Sequence, residues 1–144
     1  MKKAFLLTLS LALSNAYAVE NNLILEEKFP KKLSDFSFFT DGKAQVPSQG
    51  VVPYELISSL FSDYSYKQRW VYIPEGKSAT FRKDKVFEFP TGSALIKTFY
   101  YPRDERDLTL GKKLMETRLL LKKADGWQAV SYAWNETQDE AFIK

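Results

Sequence analysis

Lys97, Glu116 and Arg118 each stand between apolar neighbours at strand spacing. In ALIKTFYY (residues 94–101), a period of two puts Lys97 on a face with Leu95, Phe99 and Tyr101, opposite Ala94, Ile96, Thr98 and Tyr100. In LMETRLLLK (114–122) it puts Glu116 and Arg118 with Leu114 and Leu120, opposite Met115, Thr117, Leu119 and Leu121. A lone buried charge is costly, so such residues pair with one another or line a polar pocket. One reading is an anion-binding or acid–base site, with Arg118 clamping a carboxylate or phosphate and Glu116 as base, as in a small-molecule enzyme. The other is a cross-strand salt bridge, or long side chains reaching off an apolar sheet. The register between the two strands is not readable, so the three stay ligand-binding candidates and no residue is assigned as catalytic.

Aromatic residues form a second constellation, with 3 Trp, 8 Tyr and 11 Phe. Trp70, Tyr72, Trp127, Trp134 and the Tyr100–Tyr101 pair would make a stacking platform for a sugar ligand if exposed. Trp70 and Tyr72 share a strand face, as do Tyr132 and Trp134. The alternative is that these rings fill a β core. A third group, Asp63, Tyr64, Lys67 and Arg69 in LFSDYSYKQR, reads either as a small polar site or as turn chemistry with Arg69 pairing Asp63. The chain contains no Cys and no His. That excludes disulfides, thiolate or imidazole catalysis, Cys/His zinc sites and C-x-x-C-H haem attachment. No acidic D-x-D-x-D loop is present for a hard cation. No metal, haem or other cofactor is expected.

The N-terminus reads as an address. Lys2 and Lys3 precede the apolar run Ala4–Leu13, and Ala16-Tyr17-Ala18 is a cleavage site of the A-x-A kind. Asn15 ends the run too early for a membrane span of about 20 residues. The expectation is a bacterial-style signal peptide over residues 1–18, cleaved after Ala18, and a periplasmic protein with no membrane span thereafter. Losing Lys2 and Lys3 lowers the formal charge from +3 to +1. Nothing in that balance calls for nucleic acid.

These candidates need strands to position them. Residues 19–32 are polar and charged, with one short apolar patch at Leu23–Leu25, and read as an extended N-terminal arm or linker, followed by one β domain over 33–144. Leu33–Phe39 fits one helical turn with Ser34 or Asp35 as N-cap. Val46–Pro53 reads as loop or edge, and Tyr54–Phe61 as loop with a brief helix. Strands are expected at Arg69–Ile73, Ala79–Arg82, Val86–Phe89, Ala94–Tyr101, Leu114–Lys122 and Trp127–Trp134. Asp125-Gly126 between the last two is the strongest hairpin signal, supplying positions with φ > 0. The fold class is mainly β: an antiparallel sandwich or curled sheet with one or two short helical turns.

Three stretches carry a family resemblance: VVPYELISSLFSDYSYKQRWVYIPEG (Val51–Gly76), FPTGSALIKTFYYP (Phe89–Pro102) and LMETRLLLKKADGWQAVSYAWNETQDEA (Leu114–Ala141). Together they resemble the N-terminal module of a family of secreted bacterial dihaem c-type cytochrome proteins. In that family the module precedes a region bearing C-x-x-C-H motifs. With Cys and His absent, haem attachment is not carried over, and Met115 on a strand is no axial ligand. The run F-P-x-G, then L-I-K and D-G-W, is also similar to cytochrome P-460 type domains, which implies a haem-pocket-like antiparallel sheet. The resemblance implies a haem-less relative: a truncated form, a module that works alone, or one whose haem domain is a separate partner. The reading is an exported binding or assembly module, more a docking protein than an enzyme. Its partner would be a periplasmic c-type cytochrome or another protein. A carbohydrate-binding module is the alternative, and a Lys/Glu/Arg-pocket enzyme a further one.

Overall fold

The computed structural model describes residues 18–58 and 61–144. Most of the expected signal peptide lies outside them. The chain is mainly β and antiparallel. β1 (Phe39–Asp41) and β2 (Val46–Pro47) form a small two-stranded ribbon. β3 (Val51–Pro53), β4 (Tyr66–Tyr72), β5 (Ala94–Pro102), β6 (Lys112–Lys123), β7 (Gly126–Trp134) and β8 (Ala141–Ile143) form one six-stranded sheet in sequential order. Every strand pairs with its neighbour in the chain, so the sheet is a meander. Among the described residues no helix is long and apolar enough to cross a membrane.

Alternation sorts the sheet into two unlike faces. Register aligns Trp70, Ile96, Leu119 and Val130 in one cross-strand row of the inner face. Beside it run Tyr72, Ala94 and Leu121 on one side and Thr98, Thr117 and Tyr132 on the other. All ten are buried. Thr98 and Thr117 satisfy each other through their hydroxyls at 2.7 Å, and the Trp134 indole N–H donates to Thr117 at 3.0 Å. A buried hydroxyl without such a partner would cost about 1–3 kcal/mol.

The segment before the sheet covers this face. Residues 21–25 form a short α-helix, α1 (Asn21–Leu25), and Leu33–Phe36 a 3₁₀ turn. Ile24, Leu33, Phe36 and Phe38 are buried against the sheet. Phe36 stacks on Phe38 at 5.2 Å and meets Tyr132 edge-on at 6.1 Å. Backbone groups are tied as well: Tyr132 donates its hydroxyl to the Pro30 carbonyl at 2.9 Å, and Lys123 donates its amine to the Glu26 carbonyl. At the other end of α1, the Asn21 amide donates to the Gly92 carbonyl at 3.0 Å. Gly92 sits at φ 94, where a Cβ would come within 2.9 Å of Pro74. Only glycine fits this approach.

Several expectations are corrected. Residues 19–32 are not extended throughout: α1 carries Ile24 into the core. The 3₁₀ turn has Lys32 at its N-cap and no side-chain cap, so neither Ser34 nor Asp35 fills that role. Ser34 instead donates its hydroxyl to Glu140. Among the described residues of 54–61 there is no helix. The strands expected at 79–82 and 86–89 shrink to a single bridge, Thr80 to Glu88. β8 had no sequence signal. In the β6–β7 hairpin Ala124 and Asp125 are the turn residues, and Gly126, paired with Lys123, takes φ 145. A bulge shifts the β5–β6 register so that Phe99 faces Glu116 and Tyr100 faces Leu114. Met115 is the extra residue, so Leu114 turns into the core and Met115 out to solvent, the reverse of strict alternation. Gln138 clamps the bulge by accepting from the Leu114 N–H at 2.5 Å and donating to its carbonyl at 3.1 Å.

The covering role of α1 gives a stability test. Ile24→Ala should cost about 2–5 kcal/mol. The same change at exposed Leu25 should cost under about 0.5 kcal/mol. Urea unfolding of the two variants measures both.

Candidate functional site

Among the described residues, no layer covers the outer face of the sheet. Along β4 to β7 its side chains are half-buried or exposed, and none is buried. At its centre β4, β5 and β6 set Arg69, Lys97 and Arg118 side by side in one cross-strand row, with Ser131 of β7 next in line. Val71, Leu95, Leu120 and Ala129 form the row on one side. On the other side lie Lys67, Phe99, Glu116 and Ala133. Like charges directly opposite one another on a sheet repel. Three in succession are therefore an arrangement that packing alone does not favour.

Phe99 partly offsets that repulsion. Its ring lies 4.8 Å from the Arg118 guanidinium carbon, 5.1 Å from the Lys97 amine and 6.0 Å from the Lys67 amine. The negative face of an aromatic ring attracts each cation. Glu116 supplies the row's neighbouring carboxylate. It accepts from the Arg118 Nε on one oxygen and from the Lys144 amine at 2.5 Å on the other. Among the described residues, no ion pair includes Arg69 or Lys97. The four residues Tyr54, Leu56, Leu120 and Ser131, with the cationic row, border a shallow groove of about 410 Å³.

Titration follows from these neighbours. Burial lowers the Lys97 amine below its ordinary range, and Arg118, Arg69 and Lys67 lower it further, while Glu116 acts weakly the other way. Burial raises the Glu116 carboxyl, but the hydrogen bonds from Lys144 and Arg118 outweigh it and the net shift is downward. A carboxylate lowered in the folded state adds stability that is complete above its unfolded pKa. That stability is lost as pH falls through the folded value.

Structure thus brings Lys97, Glu116 and Arg118 together and adds Arg69. The sequence placed Arg69 with Asp63 instead. Asp63 and Tyr64 form a turn at φ 42 and 58, and the Asp63 backbone carbonyl accepts from the Tyr101 hydroxyl at 3.2 Å. The period-two phase of β4 does put Arg69 opposite Trp70 and Tyr72, but only the β4–β5 register reveals its partner.

The aromatic platform does not form. Trp70 is 3% exposed and meets Phe39 edge-on at 4.9 Å. Tyr72 is buried in the same inner face. Trp134 is half-buried with its indole N–H engaged by Thr117. Trp127 alone of the four lies on the outer face, 39% exposed. Period two puts Trp70, Tyr72 and Trp134 on the face that needs large apolar groups for its core.

No protein-family model, curated protein or solved structure matches this chain significantly.

Opposed electrostatic effects on Lys97 are directly testable. Arg118→Gln should raise the Lys97 amine pKa, and Glu116→Gln should lower it. Carbon-detected NMR titration of the lysine side chains reads both signs.

Proposed function

We propose that this chain is an exported binding module that docks an acidic surface of a partner protein onto the open face of its sheet. The observation that carries this reading is the row Arg69–Lys97–Arg118 on a sheet face that no layer of the described residues covers. An acidic group laid across the row would neutralise a repulsion already present and cover the flanking apolar row. The resemblance to the N-terminal module of dihaem c-type cytochrome proteins directs the search to partners among periplasmic c-type cytochromes.

Glu116 supports binding over acid–base chemistry. Two cations hold its carboxyl below the usual range, so it stays charged near neutral pH and is a poor proton acceptor. The sugar-platform reading loses its main support because Trp70 and Tyr72 are core residues.

Retention of haem-staining proteins from periplasmic extract tests the proposal. The native chain should retain a haem-staining band, and the Arg69→Glu/Lys97→Glu double variant should retain at least about tenfold less. Circular dichroism shows whether the variant is folded. No band, or equal retention by the folded variant, overturns the proposal. Anion capture should also weaken from neutral to alkaline pH, as Lys97 loses its proton earlier than an ordinary lysine. Calorimetry with the retained partner across that range measures this.

A further inference from the structure

The connection from β4 to β5 projects from the sheet and has a chemistry of its own. Thr80 and Glu88 exchange backbone hydrogen bonds at 2.8 and 3.0 Å, which closes residues 81–87 into a loop. The Arg82–Glu88 ion pair, 2.6 Å, crosses its base. Every residue from 81 to 88 is exposed. Among them are three large apolar side chains: Phe81 at 71% exposure, Val86 at 88% and Phe87.

The rings continue back to the sheet. Phe81 meets Phe87 at 5.9 Å, Phe87 meets Phe89 at 6.3 Å, and Phe89 meets Trp127 at 5.7 Å. Cations interleave with them. Arg82 and Glu88 neutralise each other, which leaves Lys83 and Lys85 against Asp84, and Lys122 at the base with its amine 5.7 Å from the Trp127 ring. Under the loop lies a cleft of about 560 Å³, bordered by Lys85, Phe87, Lys122 and Trp127. Exposed apolar groups on the loop, aromatic rings running back to the sheet and amines around the cleft match the layers of a lipid interface. Acyl chains would meet the apolar groups, and phosphate headgroups the amines.

We infer that residues 81–87 seat the protein on an anionic phospholipid surface. The inference is independent of the partner docked on the sheet face. A second loop on the opposite end of the sheet shows why charge decides. Leu56, Ile57, Phe61 and Tyr64 are also exposed there, but the charges between β3 and β4 are Glu55 and Asp63, both acidic. An anionic surface repels that loop and attracts residues 81–87.

Co-sedimentation of the exported chain with vesicles tests this. Binding is expected to mixed phosphatidylglycerol–phosphatidylcholine vesicles and not to phosphatidylcholine alone. Phe81→Ser/Phe87→Ser and Lys83→Glu/Lys85→Glu should each reduce the bound fraction at least tenfold. Ile57→Ser/Phe61→Ser should leave it unchanged. Inorganic phosphate should not release the protein beyond the effect of chloride at equal ionic strength. Release by phosphate alone would assign the cleft to a free anion and overturn the inference. So would absence of vesicle binding, equal binding to neutral vesicles, or full binding by the folded Phe81/Phe87 variant. Every substituted position is exposed, and circular dichroism identifies any variant that fails to fold.

Discussion

The packing of Ile24, Phe36 and Phe38 onto the inner sheet face governs the rest of this structure. The six-stranded meander has two faces, and among the described residues no second sheet of comparable size buries either one. With no cysteine in the chain, stability must come from burial rather than from cross-links. The segment before the sheet can reach one face only. Covering the Trp70–Ile96–Leu119–Val130 row builds the core and leaves the opposite row without a covering segment, Arg69 and Lys97 half-buried among their neighbours and Arg118 exposed.

The polar features of the molecule follow from that asymmetry. Inside, the Thr98–Thr117–Trp134 cluster satisfies the polar groups that alternation places among apolar neighbours. Outside, Lys67, Lys97 and Arg118 gather around the Phe99 ring, and the Glu116 carboxylate accepts from Arg118 and Lys144. The Thr98–Thr117–Trp134 cluster is complete in itself. The outer one keeps an excess of positive charge beside an apolar strip, and this incompleteness is the physical basis for reading it as a binding face. The apolar loop beyond Trp127 is a further exposed feature of the β4–β5 connection, packed back toward the sheet through the line of rings.

Much of this was legible in the sequence where short-range rules apply. Ala124-Asp125-Gly126 fixed the β6–β7 hairpin because a two-residue turn leaves one register. Alternation in β5 separated Lys97 from Ile96 and Thr98 correctly. It failed in β6 at Leu114 and Met115, because the bulge there is held by Gln138, 24 residues away. Arg69 could not be matched to Lys97, since a long connection without regular strands separates β4 from β5 and sets no register by itself. Leu23–Leu25 showed as a short apolar patch in a polar segment, but three residues set no period that would reveal a helix carrying Ile24 into the core. β8 spans three residues, too few for periodicity to show. Trp70 and Tyr72 were ambiguous because the same ring serves a core or a platform, and only the covering segment decides which face is inside.

The central claim is that the open cationic row is a site for acidic groups. The most direct measurement is an NMR titration of the isotope-labelled chain with an oligo-glutamate peptide. Side-chain Nε signals of Arg69 and Arg118 and the Phe99 ring signals should move together and saturate, while signals of Ile24 and Phe36 stay fixed. Shifts that are absent, or that fall elsewhere on the surface, would contradict the account.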